Sequence, residues 1–331
     1  MDRPDPIPHV DGPAVWRGED IADDPTLRLD LTDDHVAELR AALDAVRDRP
    51  LREITAEDFP LPTLGPHLDA TVDELLDGRG FALLRGVPVD DLSDDERRRI
   101  YWGIGQHLGV PISQNDAGDH LVRVRSEGLD FSNPTVRAYQ TDAQLDYHSD
   151  SSDIVGLLCV RPAKEGGVST IVSAGAVFDE AVRRRPDLLD ELTGSWWWDR
   201  RKPDLATSFF SCRIFADHGG RLFSYYGRAH IESATRSPDV PELTDRQIEA
   251  LDVLDAIAND PAFVLNMHFR PGDIQFLNNR AVWHARTAYV DHPEPERRRE
   301  LLRLWLTVRR PLDLPEDFAA AGITNRAAAF G

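Results

Sequence analysis

The chain has 331 residues, 41% of them hydrophobic and 29% charged, enough apolar material for one large core or two small ones. Its formal net charge of −20 argues against nucleic acid or an anionic membrane surface as a partner, because both demand basic patches. No apolar run approaches the ~20 residues of a membrane span, and Met1 to Pro6 shows no cationic start before an apolar stretch. The two cysteines, Cys159 and Cys212, offer no disulfide framework, so a soluble protein of a reducing cytoplasm is expected. Lysine occurs only at Lys164 and Lys202, which codon bias explains more simply than function.

Residues 1–30, rich in Pro and Asp and without periodicity, read as an irregular arm, and 31–331 as a single domain. Val36, Leu39, Leu43 and Val46 form one stripe and predict a helix over 33–47, capped at Thr32 or Asp33 and stopped by Pro50. A second helix is expected over 68–76, ended by Gly78, then a glycine-bracketed strand over 80–86. Ser93 followed by Glu96 is a capping box that opens a helix running to Leu108. From 109 to 142 the chain is loop-rich, with one strand at 121–124. Long loops in compact domains tend to be functional, which makes Gln114, Asn115, Arg125 and Tyr139 candidate pocket residues. Strands follow at 154–160 and 168–172, helices at 174–184 and 187–193, and β segments at 196–198, 213–216 and 221–226. A helix over 242–258 places Ile248, Leu251, Leu254 and Ile257 in register. The last third reads as strand 263–269, a tight turn at 270–273, strand 274–278, a loop, and strand 301–308. The expected class is α+β with a mainly β core, closed or double-layered, and helices outside.

Tyr147-His148-Ser149-Asp150 organises the chemistry. On an extended strand, side chains two residues apart project from one face, so His148 and Asp150 would point the same way. A second histidine from far down the chain would complete two imidazoles and one carboxylate on one side of a metal, the facial triad of non-haem Fe(II) oxygenases. The absence of a nearby cysteine argues against a structural zinc cage. His268 and His284 are the contenders. His268, on a strand ending at a Pro-Gly turn, reads as a hydrogen-bonded core histidine, so His284, trailed by a group of arginines, is favoured.

Over 299–309 the residues Leu302, Leu304, Leu306 and Val308 are uniformly apolar, while Arg299, Leu301, Arg303, Trp305 and Thr307 make a mixed face. That pattern fits a barrel wall, apolar outward under helices and polar inward to a pocket. Arginine binds carboxylates bidentately, so Arg299 and Arg303 are placed to hold anionic ligands, against the alternative of surface charges on an edge strand. Arg228 and His230, on a polar turn after Tyr226, either reach the same cavity or make surface hydrogen bonds.

With Lys164-Glu165-Gly166-Gly167, Gly272-Asp273, Asn278-Asn279-Arg280 and Arg299-x-x-x-Arg303 added to His148-x-Asp150 and His284, residues 80–310 resemble the taurine dioxygenase family of Fe(II)/2-oxoglutarate-dependent oxygenases. The resemblance implies a double-stranded β-helix, or jelly roll, with flanking helices. It implies Fe(II) on His148, Asp150 and His284, with 2-oxoglutarate and O2 as cosubstrates. Arg299 would grip the distal carboxylate of 2-oxoglutarate. Ser169, beside Thr170, would supply the hydroxyl for which the family often uses Thr. Arg303 and Gln144 would face substrate; Gln144 stands where the taurine-specific members carry Asn, which implies a different substrate. The interval from His284 to Arg299 is longer than in the taurine enzyme, the extra residues lying in 291–295. That leaves Arg298 as the alternative, although strand alternation favours Arg299. The implied reaction hydroxylates an unactivated C–H bond of a small molecule (an amino acid, a small acid or a natural-product intermediate) and releases succinate and CO2. Asp150, present where related halogenases place chloride, favours hydroxylation. A cosubstrate-independent metal oxygenase and a non-catalytic small-molecule-binding barrel are the competing readings, and a homo-oligomer is compatible with the sequence.

Overall fold

The alternating strand near the C-terminus sets the layers. In the computed structural model, which describes residues 10–115, 117–129, 140–202, 204–310 and 312–323, that strand spans Glu300–Thr307. It pairs antiparallel with Ile154–Arg161 on one edge and with Leu121–Val124 and Val110–Pro111 on the other. The seven-stranded sheet continues through Ile274–Asn278 and Phe81–Arg85 to Arg28–Asp30. A four-stranded antiparallel sheet, in the order Leu265–Met267, Ser169–Ser173, Val282–Arg286 and Leu145–His148, is the second layer. Phe81, Val155 and Leu277 from the large sheet meet Ile171, Leu265 and Val282 from the small one in a shared core. The two packed sheets are the jelly-roll core expected from the sequence.

Helices cover the outer faces. Asp33–Ala45, Gly65–Asp77 and Asp94–Leu108 lay Leu39, Leu43, Leu68, Leu75, Ile100 and Ile104 on Leu302, Leu304 and Leu306. The apolar face of the alternating strand is therefore the helix-covered one. Ser93 and Glu96 form the reciprocal cap, worth about 1 kcal/mol to the third of these helices. Ala174–Arg184 and Asp245–Ala258 pack Val177, Ala181, Leu251 and Leu254 over Val172 and Trp283 of the small sheet. Among the described residues no helix is long and apolar enough to cross a membrane.

Four local expectations change. The N-terminal arm is not irregular throughout: Gly18–Ile21 is one helical turn, and Arg28–Asp30 adds a parallel edge strand to Phe81–Arg85. Arg79, which donates to Asp24 (2.8 Å) and Thr26 (3.0 Å), ties this arm down, a long-range contact that local periodicity does not carry. The segment expected at 213–216 divides between two hairpins, Phe209–Arg213 on Ser195–Asp199 and Phe215–His218 on Arg221–Ser224. Strand 263–269 shortens to Leu265–Met267, and His268 beyond it is exposed rather than a core histidine. Finally, the expected loop after Asn278 contains the strand Val282–Arg286, buried at every position. A strand covered on both faces lacks the polar alternation that marks a half-buried one.

Candidate active site

His148 ends its strand and pairs directly with His284 on Val282–Arg286, with the ring centroids 4.2 Å apart. Asp150 lies past the strand end, so alternation alone does not aim it. Its backbone N–H donates to Asn279 Oδ1 (3.0 Å), and its carbonyl accepts from Arg280 Nη2 (2.7 Å). Asn279 also donates to the carbonyl (3.1 Å) and hydroxyl (3.0 Å) of Ser152. The Asn278-Asn279-Arg280 turn thus folds the acid-bearing loop back over the histidines. Asp150 Oδ2 comes to 3.8 Å from His284 Nε2, and one ligand atom from each of the three residues lies within 4.8 Å of the others.

Burial raises the Asp150 carboxyl pKa, but Arg303, the two histidines and the Trp305 indole N–H outweigh it, and the net shift is downward. Arg303 Nη1 is 3.7 Å from Oδ2, and Trp305 Nε1 donates to the same oxygen at 2.9 Å. Burial, reinforced by the neighbouring His148, lowers His284 to about 3, so its imidazole is neutral. His148 Nδ1 lies 2.9 Å from the Asp146 carbonyl, which can only accept; Nδ1 therefore donates there, which leaves Nε2 as the ring nitrogen available to a metal. Two imidazoles and one carboxylate, with no thiolate, fit a divalent iron ion.

Past His284 the alternation continues to Arg286, which sits opposite Ser169 on the adjacent strand. With Arg299 these residues line a narrow cavity of about 50 Å³ that also touches both histidines. The Tyr289 ring lies 4.7 Å from the Arg286 guanidinium and 5.1 Å from that of Arg299. Both arginines are buried, and Nε and Nη1 of Arg286 and Nη1 of Arg299 have no hydrogen-bond partner. Burial, then the proximity of Arg299, brings the Arg286 pKa down to about 10, and burial lowers Arg299 as well. Arg286 Nη2 donates to the Ala143 carbonyl, but among the described residues neither guanidinium has a carboxylate partner, and buried cations without a counter-charge cost several kcal/mol each, so the pocket suits an anion. Arg298 is exposed and donates to the carbonyls of His292 (3.3 Å) and Pro293 (3.1 Å) instead. The Gly-Gly turn makes room: both residues have positive φ (72° and 65°), and a Cβ on Gly167 would stand 3.1 Å from Arg299 Nε. The Ser169 hydroxyl donates to Gln275 Oε1 at 3.0 Å, which leaves it only as an acceptor.

On the other side of His148 a cavity of about 670 Å³ opens, lined among others by Gln114, Gln144, Asp150, Arg303 and Trp305. Leu145, His148 and Arg303 border both cavities, so the triad stands at their junction. Arg303 Nε donates to Gln114 Oε1 at 2.7 Å. Gln144 is exposed and donates to Asp146 (3.1 Å). Arg228 and His230 also reach this cavity, Arg228 being held by Glu232, Asp252 and Asp255 at 2.7–2.9 Å. Arg125 is exposed and borders neither cavity, and Tyr139 lies outside the described residues. Sequence reasoning missed Arg286, although its place two residues after His284 was the signal. It also passed over Arg200, Arg201 and Lys202, which line the larger cavity from a turn.

The family model described as "Taurine catabolism dioxygenase TauD, TfdA family" matches residues 47–305. The chain belongs to this family. It is an oxidoreductase that uses Fe(II), 2-oxoglutarate and O2. The dioxygenase is 30% identical over 333 residues to FR-33289 synthase of Streptomyces rubellomurinus, covering 97% of this chain and 96% of that protein. It is 27% identical over 265 residues to a uridine-5'-phosphate dioxygenase of a Streptomyces species, covering 76% and 93%. Among solved structures it shares the fold of asparagine oxygenase in complex with Fe(II), 3-hydroxyasparagine and succinate. That likeness has a TM-score of 0.66 at 16% identity, covering 85% of this chain and 93% of the other.

Proposed function

We propose that His148, Asp150 and His284 hold the iron, that Arg299 and Arg286 hold the distal carboxylate of 2-oxoglutarate in the narrow cavity, and that a small anionic substrate is hydroxylated in the wide one. The observation that carries this reading is the junction: one triad opens on one side to a narrow pocket with two buried guanidiniums that, among the described residues, have no carboxylate partner, and on the other to a 670 Å³ chamber. Bound Fe(II), with 2-oxoglutarate and O2, supplies the oxidising power that yields succinate, CO2 and a hydroxylated product. The protein's residues do the rest. Trp305 and Arg303 hold Oδ2 of Asp150, and Asn279 and Arg280 hold its backbone. Ser169 offers an acceptor at the pocket wall. Arg303, fixed by Gln114, stands on the substrate side with Gln144 at the exposed rim. A cosubstrate-free oxygenase or a non-catalytic barrel would leave these two guanidiniums without a counter-charge.

The uridine-5'-phosphate dioxygenase is named for a small phosphorylated substrate, and the asparagine oxygenase structure holds an amino-acid product; both support a small polar substrate. The oxygenase domain is proposed to comprise residues 31–331 together with the arm strand Arg28–Asp30, and to act in the cytoplasm without nucleic acid or membrane as partner. The test is an anaerobic titration of Fe(II) and then 2-oxoglutarate, read by the iron absorption spectrum, followed by a succinate-release screen over small acids and amino acids. A 2-oxoglutarate-dependent absorption change is expected, and its absence would overturn the assignment of the narrow pocket.

A further inference from the structure

We propose that the turn 199–202 is a phosphoryl-recognition site, in which Arg200, Arg201 and Lys202 grip a phosphate- or phosphonate-type dianion on the substrate. The inference deepens the reading above and rests on it only in taking the larger cavity as the substrate chamber.

The cations come first. Three consecutive basic residues line one wall of the cavity, in a chain of net charge −20 whose only lysines are Lys164 and Lys202. The acids on the same lining are engaged elsewhere. Asp150 belongs to the triad, and Asp146 accepts from Gln144. Asp199 is fully buried and receives the Arg236 fork (2.6 and 2.8 Å) together with the Ser208 hydroxyl (2.6 Å). Arg228, also on the wall, is neutralised by its three carboxylates.

Arg200 differs from its basic neighbours. Arg213 pairs with Asp317 and Arg236 with Asp199, but among the described residues Arg200 has no carboxylate within ion-pairing distance. Its half-buried guanidinium lies 4.0 Å over the Phe210 ring and donates to the Ala321 carbonyl. Burial lowers its pKa, as expected of a cation missing its counter-charge.

The backbone supplies an independent observation. Arg201 is the one non-glycine residue with positive φ (53°) among the described residues, a conformation that costs on the order of 1–3 kcal/mol. It is held there by three bonds: Arg201 N to Asp199 Oδ1 (2.7 Å), Lys202 N to Ser208 Oγ (3.0 Å) and Arg200 N to the Ser208 carbonyl (2.8 Å). A strained turn pinned at a cavity wall and carrying three successive cations is suited to a multidentate ligand. One arginine fork satisfies a carboxylate, whereas a tetrahedral dianion presents three oxygens and needs several charged donors. Arg303 is a separate group, engaged with Gln114 and Asp150 beside the metal ligands.

The test uses the full chain loaded with Fe(II) and 2-oxoglutarate under anaerobic conditions, so that the narrow pocket is filled, and calorimetric titration with methyl phosphate, methylphosphonate and acetate. Both phosphoryl probes should bind at least about tenfold more tightly than acetate, and Arg200→Ala and Lys202→Ala should each weaken them by about tenfold, the loss of one charge-assisted bond. Arg200→Lys should restore part of that loss. Tighter binding of methyl phosphate assigns an ester substrate and tighter binding of methylphosphonate a C–P substrate; either upholds the site. Equal binding of acetate, no binding of either phosphoryl probe, or unchanged binding in an Arg200→Ala protein with wild-type Tm would overturn it. The iron absorption change on adding 2-oxoglutarate, read on the same samples, separates failure of this site from failure of the oxygenase reading.

Discussion

The two chambers that meet at His148 are built differently. The narrow one is walled by sheet residues and those flanking them: Ser169 and Arg286 face each other in register, and Arg299 sits one residue before Glu300–Thr307. The wide one is walled largely by segments outside the two sheets, the turn 199–202, the helix Arg228–Glu232 and the loop carrying Gln114 and Asn115. Rigid strands suit a ligand that is always the same, as the keto diacid is in the proposed reading. Loops and turns on the scaffold can change shape and charge without disturbing the metal ligands.

The largest effect that would break this comparison is at the junction itself. Asp150→Ala should abolish succinate release coupled to substrate and reduce Fe(II) binding severely in an anaerobic titration; normal turnover would remove Asp150 from the triad. Next comes the narrow pocket. Arg299→Ala should raise the 2-oxoglutarate requirement by about 100-fold, two charge-assisted bonds at roughly 1.5–3 kcal/mol each being ample for it. Arg286→Ala should raise it about tenfold, and exposed Arg298→Ala should leave it alone. The reverse ranking of Arg298 and Arg299 would shift the assigned strand register by one residue.

Smaller effects sharpen the comparison. Asn279→Ala removes the acceptor for the Asp150 N–H and should destabilise the fold by about 1–3 kcal/mol in urea unfolding while weakening Fe(II) binding roughly 10- to 100-fold. Trp305→Phe keeps an aromatic ring, though a smaller one, and deletes the bond to Oδ2; Fe(II) affinity should fall by about tenfold with little change in Tm. Ser169→Ala should be the mildest, changing the 2-oxoglutarate requirement less than about threefold, because the hydroxyl proton already goes to Gln275. A large effect there would mean that the hydroxyl reorients toward the cosubstrate.

Much of this was legible in one dimension. The alternation of Leu302, Leu304 and Leu306 against Arg299, Leu301, Arg303 and Trp305 says which face lies under helices and which looks inward, because a strand has period two. The Ser93 cap and the Leu121–Val124 strand were equally local signals. Val282–Arg286 was not legible, since burial on both faces erases the polar half of the pattern.

What the amino-acid order determined by itself, then, is periodicity, caps and the residue types able to bind iron and a dicarboxylate. Tertiary structure alone decided which distant side chains meet. Asn279 and Arg280 turn Asp150 toward the histidines across about 130 residues, and Arg236 pins Asp199, and with it the basic turn, across 37. Such pairings depend on which strands and loops become neighbours, and a charge's partner is set by distance in space, which local pattern does not encode.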